Sequence, residues 1–315
     1  MRATQRRLSP GWVACSVRAR HMLARRLGRE RAREIAASPS LEAALAGLGG
    51  SAYGARRRPG MDLVEAQRAV ADTALWHLRV LAGWAPAAGV ASIRALAAWF
   101  ELANIDERLL FLAGGEPTTP FELGALATAW PEIAEARTPA EARARLAASA
   151  WGDPHSDHPA EVRLALRLAW ARRVEDSVDD AHDLAAGGAA LTLARELLLG
   201  GRSPASLAGL QPAGLGHRWQ QAGSVGALRD SLPAHASWVL DGIGEPSELW
   251  RAEAAWWRRA DDVAEELVHA PLMGEPMVVG SVIALGVDAW RVAAALEVAA
   301  RGGAAGPLEL FEEIV

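Results

Sequence analysis

Apolar residues recur at helical spacing along nearly the whole chain, and the interruptions are short. From Met61 to Trp84, Leu63, Val64, Val70, Ala74, Leu75, Leu78 and Leu81 keep close to a 3.6-residue period, which predicts an amphipathic helix. Residues 11–37, 91–112, 121–135, 138–149, 160–184, a stretch through Leu199 and Ser247 to His269 also read as helical. A last segment opens at 274–276 with Gly-Glu-Pro and ends before Gly302-Gly303. The breaks are rich in Gly and Pro: GWAPAAG, GGEPTTP, DPHSDHP, Gly187-Gly188 and GIGEP. Extended β-branched alternation is absent, and much of the apolar content is Ala, the best helix former. The chain therefore reads as all-α.

One short pattern recurs inside this helical background. Residues 38–54, SPSLEAALAGLGGSAYG, carry a hydroxyl and Pro start, an apolar face at Leu41, Leu45 and Leu48, a Gly49-Gly50 stop and an exit aromatic, Tyr53-Gly54. Residues 138–152, TPAEARARLAASAWG, repeat the order and close on Trp151-Gly152. A fainter copy runs from Ser224 through Leu228 and Leu232 to Trp238. Some 44 to 55 positions after each exit aromatic, a helix carries an arginine: Arg108, Arg195 and Arg291. The first of these helices also holds Glu101 and Asn104. The recurrence predicts three pseudo-repeated modules, residues 1–112, 113–200 and 201–315, within one continuous domain.

Composition narrows the chemistry. All 33 basic residues are Arg, so neither a Schiff-base lysine nor a P-loop lysine exists, and GxxxxGK[ST] is absent. A single cysteine, Cys15, excludes an intramolecular disulfide and suits a reducing cytoplasm. No signal peptide is expected, and the least polar run, Met277 to Trp290, is too short for a membrane span and contains Asp288. Residues 1–60 hold 13 Arg against Glu30, Glu34 and Glu42, whereas residues 241–315 hold 14 acids against 5 Arg. The basic head and acidic tail are expected to pair with each other or with partners. Arg6-Arg7 and Arg56-Arg57-Arg58 lack the interleaved aromatics of a nucleic-acid platform, so no nucleic-acid partner is expected. Most of the 13 Trp read as core anchors, while adjacent Trp256 and Trp257 diverge around a helix, leaving one for an interface.

The order of parts resembles the C subunit of bacterial and archaeal V/A-type rotary ATPases, called subunit d in eukaryotes. SPSLEAALAGLGGSAYG is similar to that family's SLEE-x-x-x-x-L-x-x-TPYG unit, and WFELANIDERL to the helix that follows it. TPAEARARLAASAWG matches the second unit. GEPMVVGSVIALGVDAWRVAAALEVAARGG is similar to the family's Glu-Pro-led terminal helix. The resemblance covers roughly residues 12–303. Trp151 and Trp238 stand where the family carries Tyr, and the last helix lacks the Asn expected near Asp288 and Arg291. The resemblance implies a funnel-like bundle of three helical modules with no catalytic, cofactor or metal residues. It implies as partners the membrane rotor ring (c/K-type subunits) and the central-stalk subunits D and F. The expected place is the cytoplasmic face of the membrane, with no transmembrane segment of its own.

Two other readings exist. Asp176, Asp179, Asp180 and Asp183 fall at helical spacings, and Asp261-Asp262 with Glu265-Glu266 do likewise. Facing acidic helices of this kind serve Mg²⁺-dependent diphosphate enzymes, in which carboxylates hold hard cations. Asp179-x-x-His182 and Glu266-x-x-His269 resemble di-iron half-sites, and His155, Asp157 and His158 form a ligand-like loop. Solvated helix faces, with Arg172, Arg173, Arg258 and Arg259 as partners, account for the acids more simply. The third reading is a helical scaffold that has lost its ATPase partners.

Overall fold

The computed structural model describes residues 9–203, 207, 214–270, 273–303 and 311; Arg6-Arg7 lie outside the described residues. Its helices are α1 (Pro10–Leu23), α2 (Gly28–Ala36), α3 (Leu41–Gly47), α4 (Leu63–Trp84), α5 (Ala87–Leu112), α6 (Trp130–Ile133), α7 (Pro139–Ala147), α8 (Pro159–Ser177), α9 (His182–Leu198), α10 (Val225–Ser231), α11 (Ala234–Ser237), α12 (Leu249–His269) and α13 (Glu275–Ala300). The described residues contain no strand, so the fold is all-α. Two compact units make up the chain: residues 1–93 with 260–315, and residues 94–259.

The first unit is built around α13, which packs against α1, α2, α3 and α4. Leu45, Leu48, Tyr53, Val70, Val292 and Leu296 share its core. α4 begins with a reciprocal capping box: Asp62 accepts from the Glu65 backbone N–H at 2.8 Å, and Glu65 accepts from the Asp62 N–H at 3.1 Å. α13 is longer than the 14-residue apolar run suggested. It is long and apolar enough to cross a membrane, yet 67% of its most apolar window is buried in protein. In this unit the basic head does meet the acidic tail, through Arg26–Glu265 at 3.5 Å and Arg29–Asp261 at 3.4 Å. Arg56, Arg57 and Arg58 are exposed.

In the second unit α8 and α9 pack together, and α9 also receives α10 and α11. One core gathers Leu164, Leu168, Leu193, Trp219, Leu228 and Leu240; another gathers Leu102, Ile105, Leu109, Ile133, Leu146 and Trp151 around α5. Trp256 and Trp257 meet edge to face at 4.9 Å, and the Trp256 indole N–H donates to the Leu184 carbonyl at 2.8 Å. Trp76, Trp84 and Trp99 are exposed, so these three are not core anchors.

Three helices are shorter than their apolar periods indicate. The helix expected over 11–37 breaks at Leu23–Gly28, where Gly28 takes a φ of +79°. Over 121–135, only a 3₁₀ turn at Gly124–Leu126 and the single-turn α6 form. The helix expected over 160–184 ends at Ser177, and Val178, at φ −135° and ψ 84°, separates it from α9.

Candidate functional site

The three short caps form as the hydroxyl pattern requires. Ser40 accepts from the Ala43 N–H at 3.2 Å, Thr138 from the Glu141 N–H at 3.1 Å, and Ser224 from the Ala227 N–H at 3.2 Å. Their exit aromatics each dock on a long helix, and what they meet there differs.

Tyr53 is buried and donates its hydroxyl to Asp288 Oδ2 on α13 at 2.8 Å. The same carboxylate accepts the Leu27 N–H at 3.0 Å and the Gly28 N–H at 2.9 Å, the open donors at the start of α2. Asp288 is 2% exposed, so these three donors replace the water it loses. Burial and the Asp288 charge push the Tyr53 phenol well above its ordinary pKa. Gly54 is needed for space: a Cβ there would stand 2.4 Å from the Leu48 carbonyl oxygen.

The second unit repeats this device. Glu101 on α5, 1% exposed, accepts the N–H groups of Thr128, Ala129 and Trp130 at 2.7 Å each, at the start of α6. It also accepts the Thr128 hydroxyl and the Trp151 indole N–H, the latter at 3.0 Å. The Arg173 guanidinium lies 4.6 Å above the Trp151 ring. Three residues along α5, Asn104 binds both backbone groups of Phe121, accepting at 2.7 Å and donating at 2.9 Å. Gly152 is held at a φ of +78°, a different demand from that at Gly54.

In the third copy, among the described residues, the indole N–H meets backbone carbonyls and no carboxylate. Trp238 lies over Gly187 of α9, where a Cβ would come within 2.5 Å of the ring, and its indole N–H donates to the His235 carbonyl at 3.0 Å. Glu101 precedes Trp151 by 50 positions and Gly187 precedes Trp238 by 51, so a glycine stands where the second copy has its acid.

The three arginines do different work. Arg108 donates to the Ala136 carbonyl, Arg195 pairs with Glu253, and Arg291 pairs with Asp261 at 2.6 Å. Arg291 sits three residues after Asp288, the register that Asn104 occupies after Glu101.

The acidic stretch does not form a single helical face. Asp176 lies on α8, Asp179 and Asp180 on a 3₁₀ turn, and Asp183 on α9, all exposed. In the first unit Asp261 is occupied by Arg291 and Arg29. His269 pairs with Glu265 at 3.4 Å, and His155 with Asp153 at 3.6 Å. His182 instead turns toward Glu175, and His235 joins them. The Glu175–His182 spacing was visible in the sequence, but His235 lies more than fifty residues away and carried no signal of its own.

The sequence matches no model of a known protein family and no curated protein.

Proposed function

We propose that this chain is a non-catalytic helical adaptor of the kind found between the rotor ring and the central shaft of V/A-type rotary ATPases. The observation that carries the reading is the recurring node: a hydroxyl-capped short helix whose exit aromatic docks on a long helix. At two nodes one buried carboxylate gathers the aromatic's N–H or O–H together with the open N–H groups of a neighbouring helix. Such nodes spend their polar atoms on internal bonds and stiffen the junctions between helices. Stiffness with repetition suits a part that transmits torque. In this reading three modules form a funnel that seats on the c/K-type ring and receives the stalk subunits D and F at the cytoplasmic membrane face.

The test is co-purification of the full chain, tagged, from membranes of its own host. Ring and stalk subunits in the eluate are expected, together with neighbouring genes that encode them. An eluate free of both, from a host that makes a rotary ATPase, refutes the proposal.

A further inference from the structure

Glu175, His182 and His235 come from three places in the second unit: the last turn of α8, the first residue of α9 and the single-turn α11. Glu175 Oε1 stands 3.9 Å from His182 Nε2 and 3.8 Å from His235 Nε2. One ligand atom from each residue lies within 4.8 Å of the others. No other such three-residue group occurs among the described residues.

Several features fit a site shaped around a cation. The Glu175 carboxylate is buried, with the two imidazoles against it and with Asp176 and Arg172 also acting on its charge. His182 Nδ1 lies 3.4 Å from the Glu175 carbonyl oxygen. A proton on Nδ1 donates there and leaves the Nε2 lone pair directed at the carboxylate, the usual outer support of a metal-bound histidine. His235 Nε2 is buried and has no hydrogen-bond partner. The two rings stand 5.1 Å apart at 44°, tilted rather than stacked. Gly214, at a φ of +67°, makes the room: a Cβ on it would lie 2.0 Å from Glu175 Oε1.

We propose that Glu175 Oε1, His182 Nε2 and His235 Nε2 bind a first-row divalent cation, with Zn²⁺ the best match. Two imidazoles and one carboxylate are a recognised zinc ligand set with the fourth position left for water. Ligand atoms around a tetrahedral zinc stand about 3.3 Å apart, given bonds of roughly 2.0–2.1 Å. The two carboxylate–imidazole separations, 3.9 and 3.8 Å, need to close by about half an ångström to reach that spacing, and the two imidazole nitrogens lie within 4.8 Å of each other. The bound ion ties the end of α8, the start of α9 and α11 together, directly before Trp238. The site is independent of the adaptor reading.

The test uses the untagged full chain, stripped with EDTA and desalted, then titrated with Zn²⁺ against a chromophoric chelator. A parallel Co²⁺ titration is read by its visible absorption. One Zn²⁺ per chain and a four-coordinate Co²⁺ spectrum are expected. Glu175→Gln, His182→Ala and His235→Ala each weaken binding by at least about 10–100-fold, the loss that even an outer-shell partner causes, while His217→Ala leaves it unchanged. Circular dichroism checks folding. Should His235→Ala not fold, His182→Ala carries the test, because its side chain is 44% exposed. Wild-type protein that takes up no stoichiometric Zn²⁺ overturns the proposal, and so does uptake equal in wild type and the folded ligand variants.

Discussion

Replacing Glu101 with Gln tests the node logic with almost no change in shape. The glutamine oxygen can still accept the three backbone N–H groups that Glu101 Oε1 holds at 2.7 Å, but without a charge. Charge-assisted bonds contribute roughly 1.5–3 kcal/mol and neutral ones about 0.5–1.5 kcal/mol, so these bonds lose something near 1 kcal/mol each. The new amide NH₂ replaces Oε2 and faces the Trp151 indole N–H, donor against donor, at a cost of about 1–3 kcal/mol. The Thr128 hydroxyl can rotate and accept, which removes a second clash. Relief from burying a carboxylate offsets part of the loss. A net destabilisation of about 2–4 kcal/mol is expected in urea unfolding followed by far-ultraviolet circular dichroism. Hydrogen exchange locates it: the amides of residues 128–130 exchange faster in Glu101→Gln, while those of Leu27 and Gly28 keep wild-type protection. Adding Trp151→Phe removes the clashing donor, so the double variant loses about 1–2 kcal/mol less than the two singles together. A Glu101→Gln loss below about 0.5 kcal/mol, or strict additivity, refutes the reasoning.

Two further outcomes follow from the other nodes. Gly187→Ala destabilises by about 1–3 kcal/mol, because its Cβ meets the Trp238 ring at 2.5 Å; Gly188→Ala, 3.4 Å from Trp256 Nε1, is neutral or stabilising by up to about 1 kcal/mol through helix propensity. Equal melting temperatures for the two variants contradict the Trp238 docking. Tyr53→Phe costs about 1–2 kcal/mol and leaves the Asp288 carboxylate with two donors. Because the folded Tyr53 pKa lies above that of the unfolded chain, its contribution is complete below pH 10 and is lost as pH rises from 10 toward the folded value. The alkaline decline in urea stability is therefore smaller in Tyr53→Phe than in wild type; identical declines count against a buried, Asp288-bonded phenol.

The caps at Ser40, Thr138 and Ser224 were legible because a hydroxyl three residues before a helical N–H is a local bond, complete within four residues of chain. The all-α class was equally legible, since Ala content and the 3.6 period act segment by segment. The shortened helices were not. Between Pro10 and Ala37, Gly28 offers a weak local signal of a break, and Asp288, 261 positions from Leu27, supplies the acceptor that fixes it there. Residues 121–135 lose helical length because Asn104 and Glu101 capture the backbone of Phe121 and of residues 128–130. The exit aromatics could be found in the sequence, but not their partners: an acid for Tyr53 and Trp151, a glycine for Trp238.

Sequence alone determined that this chain is helical, lacks lysine chemistry and repeats a capped helix with an aromatic exit. Those properties depend on residue identity and on contacts within a few turns. Tertiary structure decided where the helices stop, which carboxylates are buried as hubs, and that Glu175 and His182 gain His235 as a third neighbour. The physical reason is that a buried charge or an unpaired imidazole is tolerable only beside particular partners. Those partners lie tens to hundreds of residues away, at spacings no helical period encodes.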